Sequence, residues 1–301
     1  MAIAHYLKVI GRGRDGARAI DRAQAIDLMG QVLDGCVSDL EIGAFCLAMR
    51  IKGETPDEMA GFLDAVHARL NLVHAHAGTR VVALPTYNGA RKLPVLTPLL
   101  AALLAREGLA VVVHGCASES ARVTTQEVLA AMGQAPLTEV RSVQAGELVF
   151  VPTEVLCPGL KRLLDVRRVV GLRNPAHSLV KLMNPTAGDA LLVGSYTHPE
   201  YAVSMANTWA LTGARGLLLR GTEGEVVADA RRQPQIDAFT HGVRQTLVEA
   251  QTGSLAQLPE LPTQTDAATT ARYIQSVLDG QLPVPFPITR QVQAALQALA
   301  L

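Results

Sequence analysis

Between residues 80 and 220, short apolar runs alternate with helical patterns, and this alternation restricts the possible folds more than any other feature of the chain. Apolar runs bounded by proline, glycine or polar loops are typical of buried strands. They lie at residues 80–84, 110–113, 148–151, 190–193 and 216–219, with helical patterns between them. Strands that alternate with helices predict an α/β domain with a mostly parallel sheet, which binds ligands at the carboxyl ends of its strands.

The residues before this pattern have a different periodicity. From residue 21 to residue 70, apolar side chains recur at helical spacing, with breaks at Gly35 and Gly53 and a helix start at Pro56. This segment predicts a small domain of three or four helices. Residues 1–22 hold five basic residues against two acidic ones, and the G-R-G-R-D-G run at residues 11–16 is too glycine-rich for a stable helix, so this run is expected to form a flexible basic loop.

The composition excludes several classes of protein. Of the 301 residues, 49% are hydrophobic and only 4% are aromatic, so we expect a large core of Leu, Val and Ala. The four cysteines lie far apart, without a C-x-x-C pair or the spacing of a metal site, which predicts reduced thiols and no bound metal or cofactor. A signal-peptide profile and long apolar stretches are both missing, so we expect a cytoplasmic protein without a membrane segment.

Residues 161–181, the basic segment, carry the largest local charge. The chain as a whole is neutral, but this segment sets six basic residues against the single acid Asp165: Lys161, Arg162, Arg167, Arg168, Arg173 and Lys181. Concentrated positive charge beside a domain junction favours an anionic ligand. A solvated helix face is the alternative. The apolar residues Val169, Val170 and Leu172 lie among the arginines, so we expect them to be fixed on a packed scaffold and to face an anion.

The stretch V-S-D-L-E-I-G-A-F-C-L-A-M-R-I-K-G-E-T-P-D-E-M-A-G at residues 37–61 resembles the N-terminal domain of anthranilate phosphoribosyltransferases. The similarity continues through the H-G pair at 114–115, V-L-A-A-M-G at 128–133 and the segment 166–185. This resemblance implies a small helical domain joined by hinges to an α/β domain, with dimerisation through the helical domain. The helical domain of that family is discontinuous and takes back a later segment.

The resemblance therefore gives expected domain boundaries. We expect a helical domain at residues 1–78 that also takes in about residues 163–186. The α/β domain is expected at residues 79–162 and 187–301.

Four parts of the active site implied by this resemblance are altered. The enzymes' glycine-rich loop lets backbone N–H groups approach a diphosphate, but residues 84–89 read L-P-T-Y-N-G, with one glycine, a proline and a bulky tyrosine. The enzymes' K-H-G-N becomes V-H-G-C at residues 113–116. Their metal-binding D-E pair falls on Glu225 and Val226, and valine supplies no oxygen ligand.

Two further positions complete this comparison. The histidine that contacts the aromatic substrate in the enzymes falls on Cys157, whereas the arginine that binds the substrate carboxylate is retained as Arg167. Because separate parts of the site are altered together, we predict no catalytic residue. The remnant active-site positions are Tyr87, Asn88, Gly89, His114, Gly115, Ser120 and Glu225.

The loops P-T-Y-N-G-A-R-K at residues 85–92 and R-G-T-E-G-E at 220–225 resemble the YbiB-type branch of this superfamily. This resemblance implies a homodimer that binds DNA, and single-stranded nucleic acid, with little sequence preference and without enzyme activity. Basic residues around the domain cleft would contact the phosphates. The expected phosphate-binding residues are Arg91, Lys92, Arg122, Lys161, Arg162, Arg167, Arg168, Arg173 and Lys181.

Other interpretations of single residues stay open at this point. His114 is a general base or, as we favour, a packed histidine bonded to backbone. Glu223 and Glu225 hold a metal or are solvated loop acids, and we favour the second. Ser118 and Ser120 lack a G-x-S-x-G elbow, so loop serines are the better interpretation. Tyr87 and Trp209 are available to stack on bases.

Two alternatives to nucleic-acid binding also stay open. One is a phosphoribosyltransferase or phosphorylase whose acceptor is not anthranilate, and the other is an interaction protein that only dimerises. Dimerisation through residues 1–70 is expected in addition, because apolar side chains there exceed what a small domain needs for its own core. These side chains are Ile26, Met29, Leu33, Ile42, Phe45 and Met49.

Overall fold

The computed structural model describes residues 2–13, 15–116, 121–254 and 258–301. In chain order its elements are α1 (Ala4–Ile10), α2 (Arg22–Asp34), α3 (Asp39–Lys52), α4 (Pro56–His67), β1 (Val81–Thr86), α5 (Thr97–Arg106), β2 (Ala110–Gly115), α6 (Thr125–Ala131), β3 (Leu148–Pro152), α7 (Thr153–Leu156), α8 (Pro158–Val170), α9 (Ala176–Leu182), β4 (Leu191–Tyr196), α10 (Pro199–Thr212), β5 (Gly216–Arg220), β6 (Ile236–Thr240), β7 (Val243–Val248), α11 (Ala267–Leu278) and α12 (Phe286–Ala298).

The chain divides into two compact units, each built from two segments. The helical unit comprises Met1–Asn71 and Thr153–Asn184, and the α/β unit comprises Leu72–Pro152 and Pro185–Leu301. The second helical segment begins at Thr153, earlier than the expected position near residue 163, because the chain joins the helical unit directly after β3. There the backbone N–H of Asn71 donates to the carbonyl of Leu156 at 2.8 Å.

Capping boxes set the starts of the main helices of the helical unit. Asp21, Ser38 and Thr55 each accept a hydrogen bond from the third backbone N–H of the helix that follows, and that third residue bonds back to the cap. α2 ends at Gly35, whose left-handed φ of 73° suits glycine. The predicted breaks at Gly35 and Gly53 and the helix start at Pro56 are therefore confirmed.

A short helix that was not predicted lies before the glycine-rich run. α1 forms because Ile3, Tyr6 and Ile10 repeat at helical spacing and are all buried. The helix ends at Gly11, and the described residues of the glycine-rich run are not helical, as expected. The prediction rested on the glycines and missed the apolar face that precedes them.

The helical unit packs its helices closely around an aromatic pair. The rings of Phe45 and Phe62 meet edge to face with centroids 5.9 Å apart. Glycines allow the close approaches, because a Cβ at Gly61 would lie 2.5 Å from the carbonyl oxygen of Arg22, and one at Gly159 would lie 2.3 Å from that of Leu33. α2 therefore packs against α4 on one side and against α8 on the other.

Glu58 is a buried carboxylate that ties three parts of the helical unit together. It accepts from the Ile20 N–H at 3.1 Å, from the Thr55 N–H at 2.9 Å and from the Lys52 ammonium at 2.6 Å. Its side chain is fully buried and that of Lys52 is only 9% exposed.

We expect Glu58→Ala to lower the free energy of unfolding of the helical unit by about 3–5 kcal/mol, because the Lys52 charge is left buried without its partner. Urea unfolding followed by circular dichroism measures this loss. The conservative Glu58→Gln should lose less than Glu58→Ala, since the amide oxygen still accepts one of the backbone hydrogens. Equal stability of wild type and Glu58→Ala would contradict the assignment.

The α/β unit contains, among its described residues, a seven-stranded sheet in the order β3-β2-β1-β4-β5-β6-β7. The strands from β3 to β5 are parallel, and β6 and β7 add an antiparallel edge. The predicted helical domain followed by a mostly parallel α/β domain is therefore confirmed. The hairpin of β6 and β7 was not predicted. None of the helices described here is long and apolar enough to cross a membrane.

The register of β1 and β2 brings two loops side by side. Thr86 pairs with Gly115 and Pro85 pairs with His114, so both strands end at the same level of the sheet. Gly115 is required there, since a Cβ at this residue would lie 1.5 Å from the Thr86 carbonyl oxygen. β4 pairs with β1 on its other side and β5 pairs with β4. The loops that follow β1 and β5 therefore open on the same edge of the sheet.

Candidate functional site

Two loops of the α/β unit meet through buried polar contacts: residues 86–93, the β1 loop, and residues 221–225, the β5 loop. The carboxylate of Glu225, only 1% exposed, enters the β1 loop. Among the described residues, five neutral groups donate to it: the N–H of Asn88 at 3.0 Å, the N–H of Gly89 at 2.8 Å, the hydroxyl of Thr125 at 3.1 Å, the hydroxyl of Thr97 at 3.3 Å, and the hydroxyl of Thr86.

Glu223 lies two residues before Glu225 in the β5 loop and also binds the β1 loop. Its carboxylate accepts from three consecutive backbone N–H groups, those of Arg91 at 3.2 Å, Lys92 at 2.9 Å and Leu93 at 3.0 Å. The Arg122 guanidinium lies 3.8 Å from this carboxylate and donates to the Gly89 carbonyl at 3.2 Å. Converging backbone N–H groups form an anion-binding concavity. Both concavities of the β1 loop are filled by carboxylates of this chain.

The interpretation of Glu223 and Glu225 as solvated loop acids is therefore wrong. The two side chains bind the β1 loop, and that of Glu225 is buried, because the partners they need lie more than a hundred residues earlier in the chain. Among the described residues, no group of three or more His, Cys, Asp or Glu side chains is arranged to hold a metal ion.

Several residues hold the β5 loop in place. Ser195 donates its hydroxyl to the Gly224 carbonyl at 3.0 Å. Gln291 on α12 donates to the Val226 carbonyl at 2.7 Å and accepts from the Ala228 N–H at 2.8 Å. Sequence reasoning missed these residues together with Thr97 and Thr125. The threonines gave a weak signal, because a hydroxyl at the first residue of a helix is usually explained as local capping.

His114 is completely buried at the end of β2. Within the described part of the chain neither of its ring nitrogens has a hydrogen-bond partner, so the expected bond to backbone is not found. Burial lowers the pKa of His114 to about 3. Its imidazole is neutral at physiological pH and has very little basicity to offer a general-base reaction.

Three further residues that the sequence singled out, Cys157, Tyr87 and Trp209, are buried in the structure. Cys157 is buried, and burial raises the pKa of its thiol, so the thiolate is disfavoured. Tyr87 is only 5% exposed and Trp209 is fully buried, which contradicts the expectation that both are available to stack on bases. Ser118 and Ser120 lie outside the described residues, so the structure does not place their hydroxyls.

The basic segment lies in the helical unit, on α8, α9 and the turn between them. Arg162 has a structural role, because it donates to the Leu33 carbonyl at 2.7 Å at the end of α2. Lys161 pairs with Asp165, and Arg168 lies 3.5 Å from the same carboxylate with a side chain that is 63% exposed. Arg167, Arg173 and Lys181 are half-buried.

Three of the predicted basic residues lie in the α/β unit. Arg91 and Lys92 are exposed in the β1 loop, and Arg122 is half-buried beside Glu223. The structure thus brings Arg91, Lys92 and Arg122 together around one loop, and Lys161, Arg168 and Asp165 around one helix. That all nine basic residues line one cleft stays a prediction.

The chain is similar in sequence to a helical-domain family, to the YbiB protein and to anthranilate phosphoribosyltransferases. A family model described as the helical bundle domain of a glycosyl transferase family matches residues 6–69. The uncharacterized protein YbiB of Escherichia coli (strain K12) is 40% identical over 298 residues, which cover 97% of this chain and 92% of YbiB. The anthranilate phosphoribosyltransferase of Anaeromyxobacter sp. (strain K) is 29% identical over 279 residues, or 88% of this chain and 80% of that enzyme.

Solved structures share the fold. The crystal structure of anthranilate phosphoribosyltransferase from Thermus thermophilus matches with a TM-score of 0.71 at 22% identity, and the match covers 99% of this chain and 88% of the other. Together with the helical-bundle match, this similarity defines a protein with the fold of anthranilate phosphoribosyltransferase and the helical bundle domain of a glycosyl transferase family at residues 6–69. By its 40% identity to YbiB over 97% of its length, the chain belongs to the YbiB family.

Proposed function

We propose that this protein is a non-catalytic member of the superfamily that binds nucleic acid through phosphate contacts, largely independently of sequence. The observation that carries the proposal is the filling of the β1 loop by Glu223 and Glu225, which takes up the backbone donors that a diphosphate would need. Among the described residues, the β1 loop therefore offers a diphosphate no free backbone donors of this set, while basic side chains remain around it.

Filling of the β1 loop by carboxylates should block a diphosphate site but leave the attraction between basic side chains and a phosphate chain in place. A guanidinium or ammonium group attracts a phosphate chain over a range of geometries, whereas a diphosphate site needs backbone N–H groups at fixed positions. Phosphate contacts carry no base information, so sequence preference is expected to be weak. Arg168, Arg91 and Lys92 supply exposed positive charge for such contacts.

A phosphoribosyltransferase or phosphorylase with another acceptor is the second candidate. The identity to anthranilate phosphoribosyltransferases and the retained Arg167 favour it. That function requires phosphoribosyl diphosphate or phosphate to bind in the α/β unit, where Glu225 lies. Isothermal titration of the protein with phosphoribosyl diphosphate and magnesium at moderate salt separates the two candidates, because only the enzyme should bind one equivalent per chain in a saturable manner.

A fluorescence-polarisation titration tests the proposed function. Labelled random-sequence duplex DNA, single-stranded DNA and RNA are each titrated with the full chain at a low and a moderate salt concentration. Binding that is similar across unrelated sequences and weaker at higher salt is expected. The same polarisation at all protein concentrations, for all three nucleic acids at low salt, would refute the proposal.

We further propose that the partner of the helical unit is a second copy of this chain. α3 carries an apolar stripe at positions four, three and four residues apart, Leu40, Ala44, Leu47 and Ile51, in which Leu40, Leu47 and Ile51 are 84%, 46% and 61% exposed. Beside it, α1 and α3 line a groove of about 280 Å³. Exposed apolar area at helical spacing favours association between helices.

The surplus apolar residues differ from those expected. Met29, Leu33, Phe45 and Met49 are buried within the helical unit itself, where α2 packs against α4 and Phe45 of α3 meets Phe62 of α4. Ile26 and Ile42 are partly exposed. The apolar stripe of α3 therefore replaces the expected set in the dimer proposal.

We expect Leu47→Glu with Ile51→Glu to convert a dimer into a monomer, because two charges would have to be buried in the interface. Light scattering at micromolar concentration measures the mass. The matched control is Ala23→Glu with Ala68→Glu, which adds the same two charges at exposed residues of α2 and at the end of α4, outside the apolar stripe, and should leave the mass unchanged. A wild-type protein that is monomeric at these concentrations would contradict the dimer proposal.

A further inference from the structure

We infer that the β1 loop, together with Thr97 and Thr125, is a receptor for a small oxyanion, and that Glu225 is its tethered ligand. Removal of the Glu225 carboxylate should therefore open a buried site that accepts a free oxyanion, such as acetate or inorganic phosphate. This receptor lies wholly within the α/β unit. The inference does not depend on nucleic-acid binding.

The chemistry of the donors supports this assignment. The five groups that hold Glu225 are neutral: two backbone N–H groups and three hydroxyls. The buried carboxylate of Glu58 differs from that of Glu225, because its partner is the charged ammonium group of Lys52. A pocket of fixed N–H and O–H dipoles stabilises any oxyanion of suitable size, because it recognises negative oxygen rather than a particular side chain.

The donors are also fixed independently of Glu225. Thr97 and Thr125 are the first residues of α5 and α6, and Thr86 is the last residue of β1, where its hydroxyl oxygen lies 2.9 Å from that of Thr125. Asn88 and Gly89 follow β1, and Gly89 is held in the left-handed region with a Cβ position only 2.5 Å from the Val123 carbonyl oxygen. These elements would keep the receptor formed when the carboxylate is absent.

The β5 loop adopts an unfavourable backbone in order to deliver its carboxylates. Glu223 has a φ of 52°, a left-handed conformation that non-glycine residues seldom adopt, and Gly224 follows with a φ of 94°. The three N–H bonds that Glu223 accepts and the five donors around Glu225 offset this cost. The strained β5 loop thus holds the Glu225 carboxylate inside the receptor.

Chemical rescue tests the inference. Thermal unfolding of the full chain with Glu225→Ala is measured at constant ionic strength in chloride, acetate and inorganic phosphate. In chloride the variant should lose roughly 5–15 °C of Tm relative to wild type. Acetate or phosphate in the tens of millimolar should restore at least half of that loss, because an anion that binds only the folded state raises its stability. Wild type should show no such anion-specific gain.

Two matched variants separate a receptor from a general effect of salts. Glu225→Gln fills the same space with a neutral amide, so it should be destabilised but not rescued by acetate. Glu127→Ala removes a carboxylate of the same unit that caps α6, and any gain it shows in acetate or phosphate measures the general effect to be subtracted. Rescue confined to Glu225→Ala supports the inference.

Two outcomes of the Tm measurements would overturn the inference that the β1 loop is an oxyanion receptor. If the Tm of Glu225→Ala is the same in all three anions, or if Glu225→Gln is rescued equally, the pocket is not an oxyanion receptor. Should Glu225→Ala be insoluble in chloride, refolding from urea is repeated in acetate and in phosphate. Recovery of folded protein only with these anions supports the receptor, and failure in every anion overturns it.

Discussion

Incubation of this protein with phosphoribosyl diphosphate, anthranilate and magnesium is expected to give no turnover above the uncatalysed background. Enzymes of ordinary efficiency exceed that background by a factor of about a million or more, so the expected loss is complete on the scale of an assay. Active-site residues of the enzymes are replaced in this chain, and in addition the β1 loop is already filled. Glu225 occupies the donors of the β1 loop, and another anion cannot use them at the same time.

Single restorations are expected to leave the protein inactive. Val113→Lys returns the charge next to His114 that the resemblance to the enzymes implies, but Glu225 still fills the loop. Groups that act on one transition state are strongly non-additive, so one restored group gains nothing without the others. The measurement is a fluorescence assay of anthranilate consumption, with an authentic anthranilate phosphoribosyltransferase as the positive control. Turnover by the wild-type chain at rates typical of enzymes would refute this prediction.

The affinity for random-sequence duplex DNA is expected to fall steeply with salt. Each neutralised phosphate releases condensed counterions, which gives a slope of log affinity against log salt of roughly −0.9 per contact. With about six to ten contacts, affinity should fall by about 10³–10⁵ between roughly 50 and 200 mM salt. Arg167→Ala combined with Arg168→Ala should weaken binding to every sequence and flatten the slope by roughly 2 units, if each arginine makes one contact.

A variant of equal charge provides the control for this double replacement. Arg141→Ala with Arg215→Ala also removes two positive charges, from residues that pair with Glu147 and Asp189 in the α/β unit and that are outside the predicted set. It should leave both the affinity and the salt slope close to wild type. If the Arg167 and Arg168 variant binds DNA as wild type does, the basic segment is not the binding surface.

The parallel strands could be predicted from the sequence because they are buried on both faces. β1 and β2 are buried at every position, so each leaves a continuous apolar run in the chain. The edge strand β7 is different, since four of its six residues are exposed and three of these are polar. A signal for this hairpin was available in His241-Gly242, whose positive φ values form the tight turn between β6 and β7.

The candidate site was predictable only in part. The resemblance pointed to the correct loops, but it gave Glu225 as a lost metal ligand rather than as a buried acceptor. Burial of a loop carboxylate depends on partners that are distant in sequence, such as Asn88 and Thr125, and no local pattern records them. The neutral state of His114 was equally hidden, because it follows from complete burial between strands rather than from neighbouring residues.

The two-segment construction of the helical unit has a consequence for protein synthesis. α2 packs against α8, where Gly159 lies against the Leu33 carbonyl, so the first segment cannot cover that face until residues 153–184 have been made. At roughly 5–20 residues per second, the ribosome needs on the order of ten seconds to make residues 72–184 and so complete the second segment. During this interval the nascent chain carries an unfinished apolar surface. We therefore expect chains stalled after β3 to be retained by chaperones, and those that extend past α9 to be released.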